Sequence, residues 1–371
     1  MTPSSTISAS KPSARRVCRG VEQWFPDAAR AFPWRSNRTP WRSLVSEIML
    51  QQTQASRIAY VFEAFMAKFP TPKAMADAGE DAVVEAWKGL GFYRRARSLY
   101  KAACVLDESF GGEVPSDVAT LRTIPGIGRY TAGAIASMVY GLREPIVDGN
   151  IIRVVARLDL IDKTMGDRDL ERAVWARAED FVRLADDPAV LNEGLMELGA
   201  RLCTPRTPSC GACPVRRLCR AKREGRASDV PRPRVRTTRR VVVHHAVALE
   251  RNGRWLLVQR PPSGHWAGMW ELPSVESDSV LSDEAFAEQL PMGIREVRLV
   301  ETFTHLLSHR EIHFRIYTGR TRQRKGAWRS PEIVENCAMS SAMRRAIQRV
   351  VAAHEDAKRA GSEAAGSSCD G

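Results

Sequence analysis

No apolar run in the 371-residue chain approaches the ~18 residues that a membrane helix needs, which excludes a bilayer-spanning helix. The first twenty residues lack an apolar core segment, so they do not read as a secretory signal, and they carry no acid before Glu22. Rich in Ser and Arg, residues 1–20 are expected to be a disordered N-terminus. A cytoplasmic location is expected (on the nucleoid in a bacterium), with organelle targeting left open. Acids are under-represented: 56 Lys and Arg face 43 Asp and Glu, a net charge of +13. That surplus favours a polyanionic partner, nucleic acid before membrane, since no lipidation signal or long basic amphipathic helix accompanies it. Cysteine is sparse and uneven. Of eight, Cys203, Cys210, Cys213 and Cys219 fall within seventeen residues, and the large helical remainder excludes a small secreted disulfide scaffold.

What is present divides the chain. From Val21 to about Ala200, apolar residues recur at three- and four-residue spacing, predicting helices that include Ser43–Lys68, Arg94–Asp107, Tyr130–Tyr140, Ile151–Leu158, Asp169–Leu184 and Val190–Leu198. Residues 221–240 read as a basic linker, part of a stretch in which eleven Lys and Arg face two acids between Pro214 and Arg240. Beyond it the period changes to two, with strands at Val241–Leu249, Trp255–Gln259, Val297–Thr304 and Glu311–Thr318 and helices near Ser282–Gln289 and Ser340–His354. The expected domains are a helical one over 21–220, an α+β one over 241–355, and a disordered tail over 356–371.

Several residues carry chemistry. In Leu121–Ala134, two helical patterns flank Pro125, Gly126 and Gly128, the layout of a helix-hairpin-helix that grips a DNA backbone without reading bases. Asp148 precedes Gly149 and Asn150 at a helix start, where a helix cap is the plain reading. Glu47 and Gln51 lie four apart in an otherwise apolar helix. A carboxyl buried there acquires the raised pKa that a general acid needs. The Cys-x6-Cys-x2-Cys-x5-Cys run can enclose one small metal centre, and spacing alone leaves zinc and iron–sulfur both open.

Together with Pro33-Trp34-Arg35, Ser46–Thr53 and Gly89–Tyr93, these motifs resemble the adenine DNA glycosylases of the MutY type, within the helix-hairpin-helix/glycine–proline–aspartate superfamily. The resemblance runs from about Phe32 to Cys219 and more weakly to the C-terminus. It implies a multidomain fold: an all-α glycosylase domain with one 4Fe-4S cluster on the four cysteines, followed by an α+β Nudix-like domain. It implies excision of adenine opposite 8-oxoguanine or guanine in double-stranded DNA after the base is flipped from the stack, by a chain expected to be monomeric. By the same resemblance Glu47 is the acid, Asp148 stabilises the sugar cation, and Tyr130 and Asn150 support them. Arg30, Trp34 and Glu193 surround the adenine, Gln51, Gln52, Phe92 and Tyr93 contact the opened duplex, and Phe303-Thr304-His305 is the loop that recognises 8-oxoguanine. Phe92 stands where the family usually has Tyr, and Thr304 where it has Ser. The segment Ser282–Gln289 lacks the Arg-Glu-x-x-Glu-Glu arrangement of a Nudix hydrolase, so pyrophosphatase chemistry is disfavoured. Two rivals remain, an endonuclease III-like lyase and a non-catalytic DNA scaffold. The lyase needs a lysine where Tyr130 stands, and the paired Glu47 and Asp148 argue against the scaffold.

Overall fold

The structure, a computed structural model, describes residues 13–234, 238–261, 263–307 and 309–352. It divides into two compact units, one of Met1–Val83 with Arg94–Val235 and one of Val84–Tyr93 with Arg236–Gly371.

The first unit is helical. Its core gathers Val17, Val21, Ile151, Val155, Val174, Phe181, Leu191 and Leu195 from four helices: Ala14–Ala28, Gly149–Asp159, Arg168–Leu184 and Pro188–Arg201. Aspartates start three of them. Asp148 accepts from Ile151 N at 2.7 Å, Asp167 from Asp169 N at 2.7 Å, and Asp187 from Ala189 N at 2.9 Å. Each satisfies a donor that has no partner within the first turn.

Three expectations are corrected. The helix Ala14–Ala28 begins inside the stretch expected to be disordered, because Val17, Cys18 and Val21 are buried on one face; residues 1–12, like the expected tail from 356, lie outside the described residues. The stretch Ser43–Lys68 is two helices, Pro40–Leu50 and Ala55–Lys68. They break at Gln52, whose φ of 57° is left-handed. The basic linker is docked rather than solvated over much of its length. Val230 is fully buried, and Asp162 binds both Arg226 (2.6 Å) and Arg232 (2.8 Å).

The second unit is built on a mixed seven-stranded sheet of β1 (Arg240–Arg251), β2 (Arg254–Gln259), β3 (Trp270–Glu271), β4 (Ser274–Ser277), β5 (Ile294–Leu306), β6 (Arg310–Thr321) and β7 (Ala327–Arg329). Its main path runs β3-β2-β1-β6-β5, with β4 on β1 and β7 on β2. β1 and β6 pair in parallel from Arg240↔Arg310 to Leu249↔Gly319, and β5 is an edge strand. One face packs Ala246, Phe314 and Ile316 against Met343, Ala346 and Val350 of the helical residues 341–352. The other packs Val247, Leu249 and Tyr317 against Phe286 of the helix Asp283–Glu288. Side-chain alternation along β1 and β6 feeds both cores, the period-two signature of the sequence.

Two glycines mark helices packed too closely for a side chain. A Cβ on Gly133 would sit 2.5 Å from Pro145 O, and one on Gly199 would sit 2.6 Å from Asn150 Cβ. Gly133→Ala and Gly199→Ala should each cost about 1–3 kcal/mol in denaturant unfolding, the usual penalty of overpacking. An unchanged midpoint in both would refute the close approach.

Candidate active site

The helical unit encloses one cavity of about 1020 Å³. It is lined by Glu47, Asp148, Tyr130, Asn150, Arg30, Trp34, Glu193, Gln51 and Gln52, so sequence-expected residues far apart in the chain meet there. Four helices present them. Pro40–Leu50 carries Glu47, Arg129–Met138 carries Tyr130, Gly149–Asp159 starts at Asp148, and Pro188–Arg201 carries Glu193.

Glu47 is 6% exposed, and its carboxyl is pushed up to about 7. Burial is the main cause, and the charges of Glu193 and Asp148 add to it. A hydrogen bond from Tyr130 and the charge of Arg38 pull the other way. Asp148 is also raised, chiefly by burial, but less freely. Ile151 N at 2.7 Å and Asn150 Nδ2 at 2.8 Å donate to it and favour its anion. The Tyr130 hydroxyl donates to Met196 Sδ at 3.2 Å, and burial beside Glu47 and Asp148 holds it well above the usual phenol value. The pocket therefore brings together one carboxyl poised near neutrality and a second raised by burial, whose anion two donors favour against that cost.

Opposite them lies an ion network the sequence reading caught only in part. Glu193 binds Arg35 at 2.9 Å and Arg38 at 2.7 Å; Glu197 binds Arg30 at 2.5 Å and Arg35 at 3.2 Å. Glu193 and Glu197 sit one turn apart, and both are buried. Two carboxylates four residues apart on a mostly apolar helix were the available signal for Glu197. Trp34 stacks on Phe32 at 4.6 Å and meets Phe62 edge-on at 5.6 Å, so its ring forms a rigid wall. Arg95, also unmarked in the sequence, caps the helix that carries Glu47. Its guanidinium donates to Ile48 O at 3.1 Å, Met49 O at 2.6 Å and Gln51 O at 2.5 Å, which fixes the turn into Gln52.

The remaining expected residues lie elsewhere. Phe92, 52% exposed and with φ 47°, and Tyr93 sit in a short turn. Pro125, Gly126 and Gly128 form the hairpin turn between Val118–Leu121 and Arg129–Met138. Gly126 has φ 82°, and a Cβ there would meet Ser98 Cβ at 2.8 Å. Phe303, Thr304 and His305 lie within β5 rather than in a loop, a correction with a geometric consequence. Alternation turns Phe303 and His305 to one face and Thr304 to the other. The Phe303 ring stacks on Phe314 at 4.9 Å under the Arg345 guanidinium, while His305 lies 6.2 Å from the Trp266 ring.

The four cysteines line a separate small cavity with Arg157. Arg157, 2% exposed, donates to Cys203 Sγ at 3.2 Å, Thr204 O at 2.8 Å, Pro205 O at 2.9 Å and Val230 O at 2.7 Å. One turn earlier, Arg153 donates to Cys203 O at 2.6 Å and to Asn150 Oδ1 at 2.9 Å, joining this loop to the pocket. Among the described residues no three His, Cys, Asp or Glu converge as they would on a single ion. Four cysteine side chains around one small cavity fit a cluster held by four thiolates. All four ligands are then protein thiolates, so the cluster has no open position. Its contribution is to clasp residues 203–219.

Known proteins resemble this chain over both units. Residues 45–180 match the HhH-GPD superfamily base excision DNA repair protein family, residues 203–219 the iron-sulfur binding domain of endonuclease III, and residues 244–349 the NUDIX domain. The Homo sapiens adenine DNA glycosylase is 32% identical over 88% of this chain and 72% of its own length. The Rattus norvegicus adenine DNA glycosylase is 32% identical over 89% and 77%, and that of Mycolicibacterium smegmatis 41% over 52% and 65%. Among solved structures, a thermostable thymine-DNA glycosylase superposes with a TM-score of 0.50 at 28% identity, covering 57% of this chain and 97% of that one. The helical unit is that of a base-excision DNA glycosylase with an iron–sulfur cluster on Cys203, Cys210, Cys213 and Cys219, and the sheet unit is Nudix-like. With mammalian relatives aligned across both units, the chain belongs to the adenine DNA glycosylase family.

Proposed function

We propose that this chain hydrolyses the N-glycosidic bond of adenine mispaired with 8-oxoguanine or guanine, with Glu47 as acid and Asp148 as the anion that stabilises the sugar cation. The observation that carries the reading is Glu47 itself, buried in the same cavity as Asp148 with its pKa near neutrality. Adenine leaves poorly as an anion. Glu47 gives its proton to a ring nitrogen of the flipped base, and the bonding pair of the C1′–N9 bond departs with neutral adenine. The sugar is left with oxocarbenium character beside the Asp148 carboxylate, which Asn150 and Ile151 N hold in place. Water then adds to C1′ and returns a proton to Glu47. This is the two-carboxylate logic of glycoside hydrolysis.

No lysine lines the cavity among the described residues, so no amine stands ready for a Schiff base and strand cleavage. Hydrolysis alone is the supported outcome. Arg30, Trp34 and Glu193 line the cavity and are assigned to the flipped base, and Gln52 and Phe92, both held at a left-handed φ, are assigned to the opened duplex. Such strain costs about 1–2 kcal/mol per residue, and its presence at both candidate wedges supports a functional reason. Selectivity for the base opposite adenine is assigned to Phe303, Thr304 and His305. The alternation along β5 requires that they act from two faces or after local rearrangement.

Three outcomes test this reading. Glu47→Gln should abolish excision while leaving duplex binding within a few-fold, and appreciable single-turnover excision would overturn the acid role. The same substitution has a stability signature. Glu47 titrates near 4.5 unfolded and about 7 folded, so between these values the folded state holds the extra proton. Stability is therefore lost as pH rises through this window, by up to about 3 kcal/mol. Glu47→Gln should flatten that slope between pH 5 and 8; an equal slope would place the buried titration elsewhere. For opposite-base selectivity, His305→Ala should cut the preference for 8-oxoguanine·adenine over guanine·adenine by about five-fold or more, a contact of ~1–3 kcal/mol. An unchanged ratio of single-turnover rates would show that β5 does not read the lesion through His305.

A further inference from the structure

The end of the sheet unit remote from Phe303 is strongly basic. Arg295 and Arg298 near the start of β5, Arg320 near the end of β6, and Arg322, Arg324 and Lys325 just beyond it are all exposed. Among the described residues of these strand ends, Glu250 and Glu296 are acidic. Glu296 pairs with Arg320 at 3.3 Å, and Glu250 accepts from Gly253 N at 2.7 Å. Among the described residues Arg295, Arg298, Arg322, Arg324 and Lys325 make no ion pair.

Two features set this apart from an ordinary solvated face. Arg295 and Arg320 are direct cross-strand partners; Glu296 offsets the charge of Arg320, whereas Arg295 opposite it has no such acid and its like charge disfavours the pairing. The segment after β6 is also fixed rather than loose. Gln323 N donates to Thr321 Oγ1 at 3.1 Å, Gln323 Nε2 to Lys325 O at 2.8 Å, and Thr321 Oγ1 to Met292 O at 2.5 Å. A local arrangement that costs stability yet is held in place points to a ligand that repays it. The ligand must be polyanionic and extended.

We propose that this end of the sheet is a second surface for duplex DNA, one that engages phosphates without reading bases. Eight strand residues separate Arg295 from Phe303, about 26 Å at ~3.3 Å per residue. That exceeds the width of a double helix, so a duplex crossing at Phe303 leaves the basic end open to another. The protein then passes between DNA segments through a state that holds both. The inference does not depend on which base is excised.

The test uses the full chain and the variant Arg295→Thr/Arg322→Gln/Arg324→Gln/Lys325→Gln. Protein loaded on a labelled mispaired duplex is challenged with increasing unlabelled, fully paired duplex, and the dissociation rate is followed. For the unsubstituted chain the rate should rise several-fold with competitor concentration, whereas for the variant it should stay flat. Variant binding to undamaged duplex should also show a shallower salt dependence, by about 0.9 in logarithmic slope per lost contact. Single-turnover excision at saturating enzyme should match within two-fold, and the thermal midpoint should be equal or higher because the Arg295–Arg320 repulsion is gone. A rate independent of competitor in the unsubstituted chain, an equal rise in the variant, or a lowered thermal midpoint would each overturn the proposal. Acceleration by poly-glutamate as strong as by duplex DNA at equal charge would also overturn it, in favour of an acidic protein partner.

Discussion

Keeping a protonatable carboxyl out of water is the constraint on which the helical unit depends. Isolated, Glu47 would be costly as an anion and chemically idle as a fully exposed acid. The cavity wall resolves this by distributing charge. Arg38 faces it, Asp148 sits nearby with its own donors, and Arg30, Arg35 and Arg38 are occupied by Glu193 and Glu197. Three guanidiniums and two neighbouring carboxylates form a lining in which nearly every buried charge has an opposite partner. Glu47 is left as the group whose protonation state remains adjustable. Removing one member unpairs another, so the lining behaves as a unit.

The helix Gly149–Asp159 joins this lining to the iron–sulfur loop. Asn150, Arg153 and Arg157 recur at three- and four-residue spacing and so share a face. The first holds Asp148, the second reaches from Asn150 to Cys203 O, and the third binds Cys203 Sγ, the two carbonyls that follow it and Val230 O. On the same face the helix is pressed at Asn150 against Gly199, where a methyl group has no room. The position of Asp148 is thus tied through Asn150 and Arg153 to the loop that carries the four cysteines.

Much of this was legible in residue types and spacing, for reasons that differ from place to place. The residues that line the cavity were named in sequence through the resemblance of their motifs to a glycosylase family, and they meet in one place. Helix interiors were found because one apolar face must be buried every three to four residues, as from Asp169 to Leu184. What escaped is set by tertiary partners. The break at Gln52 is invisible to periodicity, since apolar spacing runs on through it, and Arg95, which caps the preceding helix, lies more than forty residues away. Arg153 and Arg157 look like surface cations until the carbonyls they bind are known. The segment near Val230 read as a linker because its charges outnumber its one critical apolar side chain. Phe303, Thr304 and His305 were expected in a loop by resemblance, although the alternation around them was already that of a strand.

The long reach of Arg157 also bears on how the protein is made. Its Nε is satisfied by Val230 O, 73 residues further along, and Arg30 finds Glu197 across 167 residues. A nascent chain can form individual helices as they emerge, because their bonds are local. It cannot close the cavity until residues near 197 have left the ribosome, nor seat the helix behind Asp148 until residues near 230 have followed. Over that interval Glu47 and the apolar faces around it remain open to water and to other unfinished chains. Synthesis order therefore leaves this glycosylase without a closed cavity until its last helical-unit segment arrives.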